Sequence, residues 1–317
     1  MEIAMTPLSD ELLLETLRIW KAYGSVERAA KSLNLQRTTF QTRLRKAQFK
    51  FPDHYNEDDV NRHFIRDKNG WTYQDHHIPT EEIKTVLIGG DAHIWPGEPS
   101  LMWKAFCKVA KKYKPDAIVL NGDIIDGARV SRHGRFLGSR APKIMDEIEA
   151  VYEHLKMLPK AKTRIWTVGN HDIRVDNYLA NQAPELEDYL GSFVDRFPEW
   201  KFCYAATINN VEIRHRFRGG IHAAWNNALH SGVTMVTSHS HQLQMTAIRN
   251  RNGSHYGIEA GMLGDPNSPA FEYSEAAPSR ACPGFVFLSF DEDGNIMPPE
   301  LCEMIRGRPA FRGQYVY

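Results

Sequence analysis

The sequence predicts an α/β fold for most of the chain, preceded by a small all-α domain. Four short apolar runs between residues 85 and 236 each end in a polar or glycine-containing turn, and helical segments separate the first three. The first 50 residues instead show only helical patterns, with nine Lys or Arg against five Asp or Glu. We therefore expect a helical domain at 1–50, a linker at 51–83 and an α/β domain at 84–317.

The N-terminal 50 residues have the pattern of three short helices. The connection between the second and third is tight, and in the third Phe40 and Leu44 fall on one face. This arrangement resembles a helix-turn-helix module, whose third helix enters a DNA groove. The residues expected to contact DNA lie on the polar face of that helix: Arg37, Thr38, Gln41, Arg43 and Arg45. A helical module used for protein contact or oligomerisation is the alternative.

Residues 51–83 are expected to be a linker, because they are polar, lack a hydrophobic period and are punctuated by proline and glycine. The Asp75-His76-His77 triplet within them could be a metal site. An exposed loop is the more frequent setting for such a triplet, and we expect that setting here.

The four apolar runs of the large domain are expected to be strands buried on both faces: Thr85–Ile88, Ala117–Leu120, Arg164–Val168 and Val233–Val236. In such sheets, sites form just beyond the carboxyl ends of the strands. The segments found there are Gly90-Asp91-Ala92-His93, Gly122-Asp123-Ile124-Ile125-Asp126, Gly169-Asn170-His171-Asp172 and Ser238-His239-Ser240-His241. A further short strand, VEIRH, ends at His215. Asp, Asn and His are ligands suited to transition metals, so we expect a site for two ions.

Two hairpin patterns follow these runs. The stretch GFVFLSFDEDGNIMPPELCEMI has Asp293-Gly294 at its turn and is expected to complete a second sheet. The stretch MTAIRNRNGSHYGIEAGML before it has Asn252-Gly253 at its turn. We expect this earlier hairpin to lie on the substrate side of the domain.

The series D-x-H, G-D-x-x-D, G-N-H-D, a lone His and x-H-x-H resembles the motifs of the calcineurin-like metallophosphoesterase superfamily. The resemblance covers about residues 84–245 at motif level, and we expect it to reach the C-terminus. It implies a four-layer α/β/β/α sandwich. It also implies one ion held by Asp91, His93 and His241, a second held by Asn170, His215 and His239, and Asp123 bridging both. The family's last motif usually begins with Gly, whereas Ser238 stands here, so this turn must keep ordinary backbone angles.

The resemblance also implies a mechanism. Two divalent ions about 3.5–4 Å apart create a bridging hydroxide near neutral pH, neutralise the phosphoryl oxygens and orient the ester. His171 stands where the family places the group that protonates the leaving alkoxide, and Asp126 matches the acid paired with it. Arg129 and Arg174 follow two of the motifs and are expected to clamp phosphate, with a solvated loop as the alternative. Mn²⁺ is the expected ion, and Fe, Zn, Mg, Co and Ni are alternatives.

Three functions fit these residues. The first is a nuclease or phosphodiesterase acting on DNA, targeted by the N-terminal module. The second is a phosphomonoesterase acting on a nucleotide, an RNA end or a phosphoprotein. Asp126 favours it, because the break-repair nucleases of this superfamily usually have histidine there. The third is a DNA-binding regulatory or packaging protein with a vestigial site, against which the complete ligand set argues. A helix-turn-helix on such an enzyme also resembles phage or mobile-element architecture.

The composition limits the cellular compartments and the classes of partner that we expect. With 39 basic and 39 acidic residues, the chain is neither basic nor acidic as a whole, and its 42% hydrophobic content excludes a wholly disordered chain. The four cysteines are far apart and form no C-x-x-C, which favours a reducing compartment. Neither a signal peptide nor a membrane span is recognisable. We expect a cytoplasmic protein that binds DNA, has no membrane partner and is compatible with a homo-oligomer.

Overall fold

The chain divides into two compact units, Met1–Arg62 and His63–Tyr317. The computed structural model describes residues 8–23, 26–51, 66–67, 70–71, 75–78, 83–131, 141–186, 192–250, 253–274 and 280–317. No helix within these ranges is both long and apolar enough to cross a lipid bilayer.

The N-terminal unit contains three helices, α1 (Asp10–Tyr23), α2 (Val26–Ser32) and α3 (Arg37–Lys50). Their common core consists of side chains at helical spacing: Leu13, Leu17, Ala29, Ala30, Phe40, Leu44 and Ala47. Beyond the end of α2, Asn34 has a φ of 52° and the amide of Leu35 donates to the carbonyl of Ala30. This left-handed helix end redirects the chain into α3. The three helices predicted from the sequence are therefore present.

The large unit alternates strands with a few helices. Its helices are α4 (Leu101–Tyr113), α5 (Ile144–Lys156), α6 (Arg174–Gln182) and α7 (Ala223–Ser231). Its strands are β1 (Arg66–Asp67), β2 (Gly70–Trp71), β3 (Asp75–Ile78), β4 (Thr85–Gly89), β5 (Ala117–Leu120), β6 (Thr163–Thr167), β7 (Lys201–Cys203), β8 (Ala205–Ile208), β9 (Val211–Arg214), β10 (Thr234–Thr237), β11 (Leu243–Asn250), β12 (Gly253–Ala260), β13 (Gly284–Ser289), β14 (Glu300–Ile305), β15 (Arg308–Phe311) and β16 (Gln314–Tyr315).

Most of the described strands belong to two large sheets. One sheet has the order β16-β15-β14-β13-β4-β5-β6-β7, and β4 to β7 within it are parallel. The other has the order β11-β12-β10-β9-β8-β3, and β9, β10 and β12 within it are parallel. β1 and β2 form a separate antiparallel ribbon. The four apolar runs of the sequence are thus interior strands, each with a neighbouring strand on both sides.

The two sheets stack face to face, and helices cover both outer faces. Along β4, Val86 and Ile88 lie in a core shared with Ile213 and Val236 of the other sheet, whereas Leu87 packs with α4 and α5. Helix α7 packs on the outer face of β12, where a Cβ added at Gly257 would lie 1.7 Å from a carbonyl oxygen of the helix. These layers confirm the predicted α/β/β/α sandwich.

The division between the two units follows Arg62 and so falls within the predicted linker at 51–83. Residues 63–83 belong to the large unit, and Asp75–Ile78 forms β3, which pairs in parallel with β8. The exposed loop predicted for Asp75-His76-His77 is therefore a strand at a sheet edge. Main-chain hydrogen bonds define such an edge strand, so it leaves no apolar period in the sequence.

The C-terminal hairpin joins a different sheet from the one expected. β13 and β14 are antiparallel as predicted, but β13 pairs with β4, from Val286↔Ile88 to Ser289↔Thr85, and so extends the eight-stranded sheet. A hairpin pattern encodes the pairing within the hairpin, whereas its neighbour in the sheet is a long-range choice. The other predicted hairpin is β11–β12; Asn252, its predicted turn residue, lies outside the described residues.

Candidate metal centre

The side chains that the sequence indicates as metal ligands lie where strands of both sheets end. β4, β5 and β6 supply them from the eight-stranded sheet, and β9 and β10 supply them from the six-stranded sheet. Neighbouring parallel strands end on the same side of a sheet, so their carboxyl ends meet. The seven residues are Asp91, His93, Asp123, Asn170, His215, His239 and His241.

One group of donor atoms comes from the β4 end and the turn after β10. Asp91, His93 and His241 place their ligand atoms within 4.8 Å of one another. His93 Nε2 is 3.2 Å from His241 Nε2, which is 3.5 Å from Asp91 Oδ1. Two imidazoles and a carboxylate at this spacing can hold one divalent ion.

A second group lies beside the first. Asp123, His215 and His239 also place their ligand atoms within 4.8 Å of one another, and His215 Nε2 is 3.1 Å from Asp123 Oδ2. Asn170 lines one cavity with His215 and another with His239. Asp123 also places a carboxylate oxygen within 4.8 Å of ring nitrogens of His93 and His171. Because His93 belongs to the first group, the carboxylate of Asp123 lies between the two groups.

Five of the seven residues adopt a left-handed backbone conformation, which costs a non-glycine residue of order 1–3 kcal/mol. They are Asp91 (φ 48°), His93 (41°), Asp123 (52°), His239 (71°) and His241 (59°). Ser238, where the resembled family usually has glycine, is outside this conformation, but His239 and His241 of the same turn adopt it. The expectation of ordinary backbone angles in this turn therefore holds for Ser238 and is wrong for the two histidines. Ser238 Oγ accepts a hydrogen bond from Asn121 Nδ2 at 2.9 Å. Such strain at a cluster of ligands indicates that the fold holds them in place.

The two carboxylates create a strongly negative potential at this point. Burial acts to raise the pKa of Asp123, but His215 and His171 outweigh it and hold this pKa well below its ordinary value. Burial likewise opposes the charge on His215, yet Asp123 raises its pKa to about 9. His241 beside Asp91 shows the same balance, with its pKa raised despite burial. The site therefore attracts cations.

The residues present fit divalent metal ions. Asp91 Oδ1 and Asn170 Oδ1 are buried and have no hydrogen-bond partner among the described residues, which is costly unless a cation binds there. His93 Nδ1 lies 3.0 Å from Asp126 Oδ1, and His215 Nδ1 lies 2.9 Å from the carbonyl of Asn121. These partners occupy the outer ring nitrogens and leave each Nε2 directed at the centre, as in metal-binding histidines.

Residues 84–251, more than half of the chain, match the family model of the calcineurin-like phosphoesterases. The protein belongs to this family. It is therefore a phosphoric ester hydrolase, and its Asp and His clusters are candidate sites for divalent metal ions.

Two phage proteins resemble this phosphoesterase along most of their length. The Gene 54 protein of Mycobacterium phage L5 is 25% identical over 259 residues, which cover 73% of this chain and 98% of that protein. The Gene 54 protein of Mycobacterium phage D29 is 25% identical over 267 residues, with 73% and 97% covered.

Solved structures that are similar to this chain are more distant in sequence. Zn²⁺-bound Vps29 from Entamoeba histolytica is 11% identical, with a TM-score of 0.39 and coverage of 74% of this chain and 99% of that one. The nuclease MPE from Pseudomonas putida is 12% identical, with a TM-score of 0.31 and coverage of 71% and 86%.

Three further side chains of the phosphoesterase form a chain beside the metal ligands. His171 Nδ1 lies 3.1 Å from Asp126 Oδ1, and Arg174 Nη2 lies 2.9 Å from His171 Nε2. A guanidinium has only N–H donors, so here Nε2 accepts and the Nδ1 proton is donated to Asp126. Arg174 also donates from Nη1 to the main-chain oxygen of Asp126 at 2.8 Å. While Arg174 donates to it, Nε2 carries no proton, so a role of His171 as proton donor would require Arg174 to move away and Nε2 to be protonated.

Asp172, the last residue of the G-N-H-D motif, supports the backbone of the site rather than the ions. Its buried carboxylate accepts hydrogen bonds from the amides of Asp123 and Gly169 at 3.0 and 2.8 Å, and from Trp166 Nε1 at 3.0 Å. A further bond joins it to the amide of Ile124 at 2.9 Å. One carboxylate thus ties together the turns after β5 and β6.

We expect Asp172→Asn to destabilise the protein by about 3 kcal/mol, because its new amide would face buried N–H donors. Thermal unfolding of the metal-free protein measures this effect without the contribution of bound ions. The matched control is Asp293→Asn, in the exposed loop between β13 and β14. Equal midpoints for the two variants would show that the carboxylate of Asp172 is not needed.

A cavity of about 950 Å³ is lined in part by the candidate metal ligands Asn170 and His239. Arg129 and Arg174, predicted from the sequence to clamp phosphate, both line it, and Arg129 also donates to the carbonyl of Ala141 at 3.1 Å. Arg216 lines the cavity too and was not singled out in the sequence. Its position one residue after His215, a candidate ligand, is the signal that could have found it.

Phe271 is a second neighbour that the sequence did not reveal. Its ring packs edge-on against His93 at 4.9 Å and against His241 at 5.4 Å between centroids. It lies in a 3-10 turn, Pro269–Ser274, far along the chain from both histidines. No motif marks it, because only the tertiary fold brings this turn to the site.

Proposed function

We propose that the protein is a metal-dependent phosphodiesterase that cleaves DNA. The observation that carries this proposal is the cavity beside the metal ligands, whose described lining includes Arg129, Arg174 and Arg216 and no carboxylate. Three arginines suit several phosphate groups along a strand, since each guanidinium can bond phosphate oxygens bidentately. A single terminal phosphate would use only part of this surface.

The exposed segment after β9 adds basic and aromatic side chains to this surface. Arg216, Phe217 and Arg218 are consecutive and exposed, and Phe217 is an aromatic side chain with 41% of its surface accessible. Basic residues interleaved with an exposed aromatic ring are typical of surfaces that follow a nucleic-acid strand. Since His215 immediately precedes this segment, a strand lying on it would enter the metal centre.

Two divalent ions, with Mn²⁺ as our first choice, complete the proposal. Asp91, His93 and His241 would hold one ion, Asn170, His215 and His239 would hold the other, and Asp123 would lie between them. When bound, such ions neutralise the phosphoryl oxygens and orient the ester for in-line attack. The protein's own part is to hold these side chains in place and to supply protons and positive charge around them.

The N-terminal unit would bring the enzyme to DNA. In α3, Arg37 and Thr38 are exposed and Gln41 and Arg43 are half-buried, whereas the side chain of Arg45 lies outside the described part of the chain. Polar and basic side chains on one helix after a tight turn fit the major groove. The charge and hydrogen-bonding groups of these side chains therefore support DNA binding by α3, which we include in the proposal.

His171 is the proposed source of the proton for the leaving alkoxide. We expect His171→Gln to reduce kcat about 10²-fold or more for an alkyl diester, because proton donation contributes that much to the departure of a poor leaving group. For a p-nitrophenyl diester the loss should be much smaller, since p-nitrophenolate leaves without a proton. His230→Gln, at an exposed position on α7, is the matched control. Equal losses on the two esters would contradict this role.

A phosphomonoesterase is the second candidate, and one observation favours it. Asp126 stands where the break-repair nucleases of the superfamily usually have histidine, and its Oδ1 lies near both His93 and His171. The aspartate at this position favours the monoesterase, whereas its contact with His171 suits a substrate with either one or two ester bonds. Substrate comparison therefore separates the two candidates.

The test is a parallel assay with Mn²⁺ on single- and double-stranded DNA, bis(p-nitrophenyl) phosphate and p-nitrophenyl phosphate. We expect cleavage of DNA and of the diester, and no cleavage by Asp123→Asn prepared in the same way, which excludes a contaminating nuclease. Release of phosphate from the monoester while both diesters remain intact would overturn the proposal in favour of the second candidate.

A further inference from the structure

Helix α6 forms one wall of the cavity, yet it contributes no buried side chain. Contacts near its N-terminal end hold it in place. Arg174 donates to the main-chain oxygen of Asp126 at 2.8 Å, and the carboxylate of Asp176 accepts from the amide of Phe193 at 2.9 Å. The cavity side of the helix is therefore not used for packing in the core and is accessible to a ligand.

This side of α6 presents an aromatic ring and side-chain amides next to the candidate metal centre. Asn177, Tyr178 and Asn181 all line the cavity. Spacings of three and four residues place them on the same helix face as Arg174, which contacts His171. Tyr178 is 49% exposed, and Asn181 Nδ2 donates to the carbonyl of Asn177 at 2.6 Å, which orients the Asn181 amide.

We propose that this face of α6 binds the nucleobase attached to the scissile phosphate. The ring of Tyr178 would stack on the base, and the amides of Asn177 and Asn181 would bond its edge. Aromatic side chains stack on any base, and an asparagine amide offers both a donor and an acceptor to a base edge, including that of thymine. The inference rests on the proposed phosphodiesterase activity and identifies the nucleobase as the part of the substrate that contacts α6.

The dimensions and the charge of the cavity agree with this assignment. A volume of about 950 Å³ is near the upper end for small-molecule sites, so a nucleoside fits beside the phosphate. Arg129, Arg174 and Arg216 give the described lining its positive charge. The lining residues of α6 beyond Arg174 are uncharged: Asn177, Tyr178, Asn181 and Gln182. Charge for the phosphate and neutral hydrogen-bonding groups for the base are the two parts of a nucleotide site.

Two small diesters with one leaving group test the base site. Thymidine 5′-(p-nitrophenyl phosphate) carries a base, and methyl p-nitrophenyl phosphate does not. We expect the wild-type kcat/KM ratio of the two to be about tenfold or more in favour of the nucleoside ester. Tyr178→Ala should bring this ratio close to one, and Tyr178→Phe should retain most of it, because stacking needs only the ring. Tyr315→Ala is the matched control, since Tyr315 is 47% exposed on β16.

Calorimetric titration with thymidine 5′-monophosphate gives a readout that does not require turnover. Binding by the wild type that weakens at least fivefold in Tyr178→Ala but not in Tyr315→Ala supports the base site, even if no ester is hydrolysed. Equal ratios and equal affinities for the wild type and Tyr178→Ala would overturn it. DNA cleavage without any preference for the nucleoside ester rejects the base site alone. Preference for the nucleoside ester with intact DNA rejects the DNA substrate alone.

Discussion

Asp123→Asn is expected to lower the metal-dependent kcat at least about 10³-fold and to reduce bound metal to one ion or fewer per chain. The reason is the position of this carboxylate between two clusters of donor atoms. Oδ1 accepts from the amide of His171 at 2.7 Å, and Oδ2 lies 3.1 Å from His215 Nε2. An amide has nearly the same shape but no negative charge, so it preserves the fold around it and loses the attraction for cations.

Metal content after reconstitution, measured by plasma emission spectroscopy, and hydrolysis of bis(p-nitrophenyl) phosphate check this prediction together. Asp293→Asn removes an equivalent charge from an exposed loop and should leave both measurements unchanged. Two bound ions and activity within tenfold of wild type in Asp123→Asn would remove the bridging role. They would also remove the main argument for a site with two ions.

Gly169→Ala is expected to disable the site almost as completely, although it adds a single methyl group. A Cβ at residue 169 would lie 2.2 Å from Asp123 Oδ1 and 2.4 Å from the Asp123 main-chain nitrogen. Neither atom can move freely, because this Asp123 amide and carboxylate are both hydrogen-bonded within the site. The turn after β5 must therefore shift, and we expect kcat to fall by about 10²-fold or more, since catalysis depends on positions within an ångström.

Gly219→Ala is the matched control for this substitution. A Cβ at residue 219 would meet no atom within 4 Å, so this variant should keep wild-type activity and metal content. Activity and metal content near wild type in Gly169→Ala would contradict the close approach of the two turns. Thermal unfolding of both variants shows whether the loss in Gly169→Ala comes from the site or from the whole fold.

The candidate metal ligands could be found from the sequence because each follows a recognisable apolar strand. Residues such as Asp91, Asp123 and Asn170 occupy strand ends, where a parallel sheet gathers side chains from distant parts of the chain. Local patterns were therefore sufficient to predict the strands that carry the candidate ligands and the order of the ligand motifs along the chain. The same holds for the two hairpins and for the three N-terminal helices, whose hydrophobic spacing is local.

Long-range packing decides the remaining features, and local patterns do not encode it. The edge strand β3 depends on main-chain pairing with β8, and the choice of β4 as the neighbour of β13 depends on pairing across about 200 residues. Likewise, His171 Nδ1 meets Asp126 Oδ1, and Arg174 Nη1 reaches the main-chain oxygen of Asp126, only because the turn after β6 is folded against the turn after β5. The contact of Arg174 holds the start of α6, whose amides and tyrosine line the cavity. Hydrophobic periodicity along this chain specifies which segments become strands and helices, whereas the stacking of the two sheets specifies which polar side chains meet, since that contact joins residues with no shared local pattern.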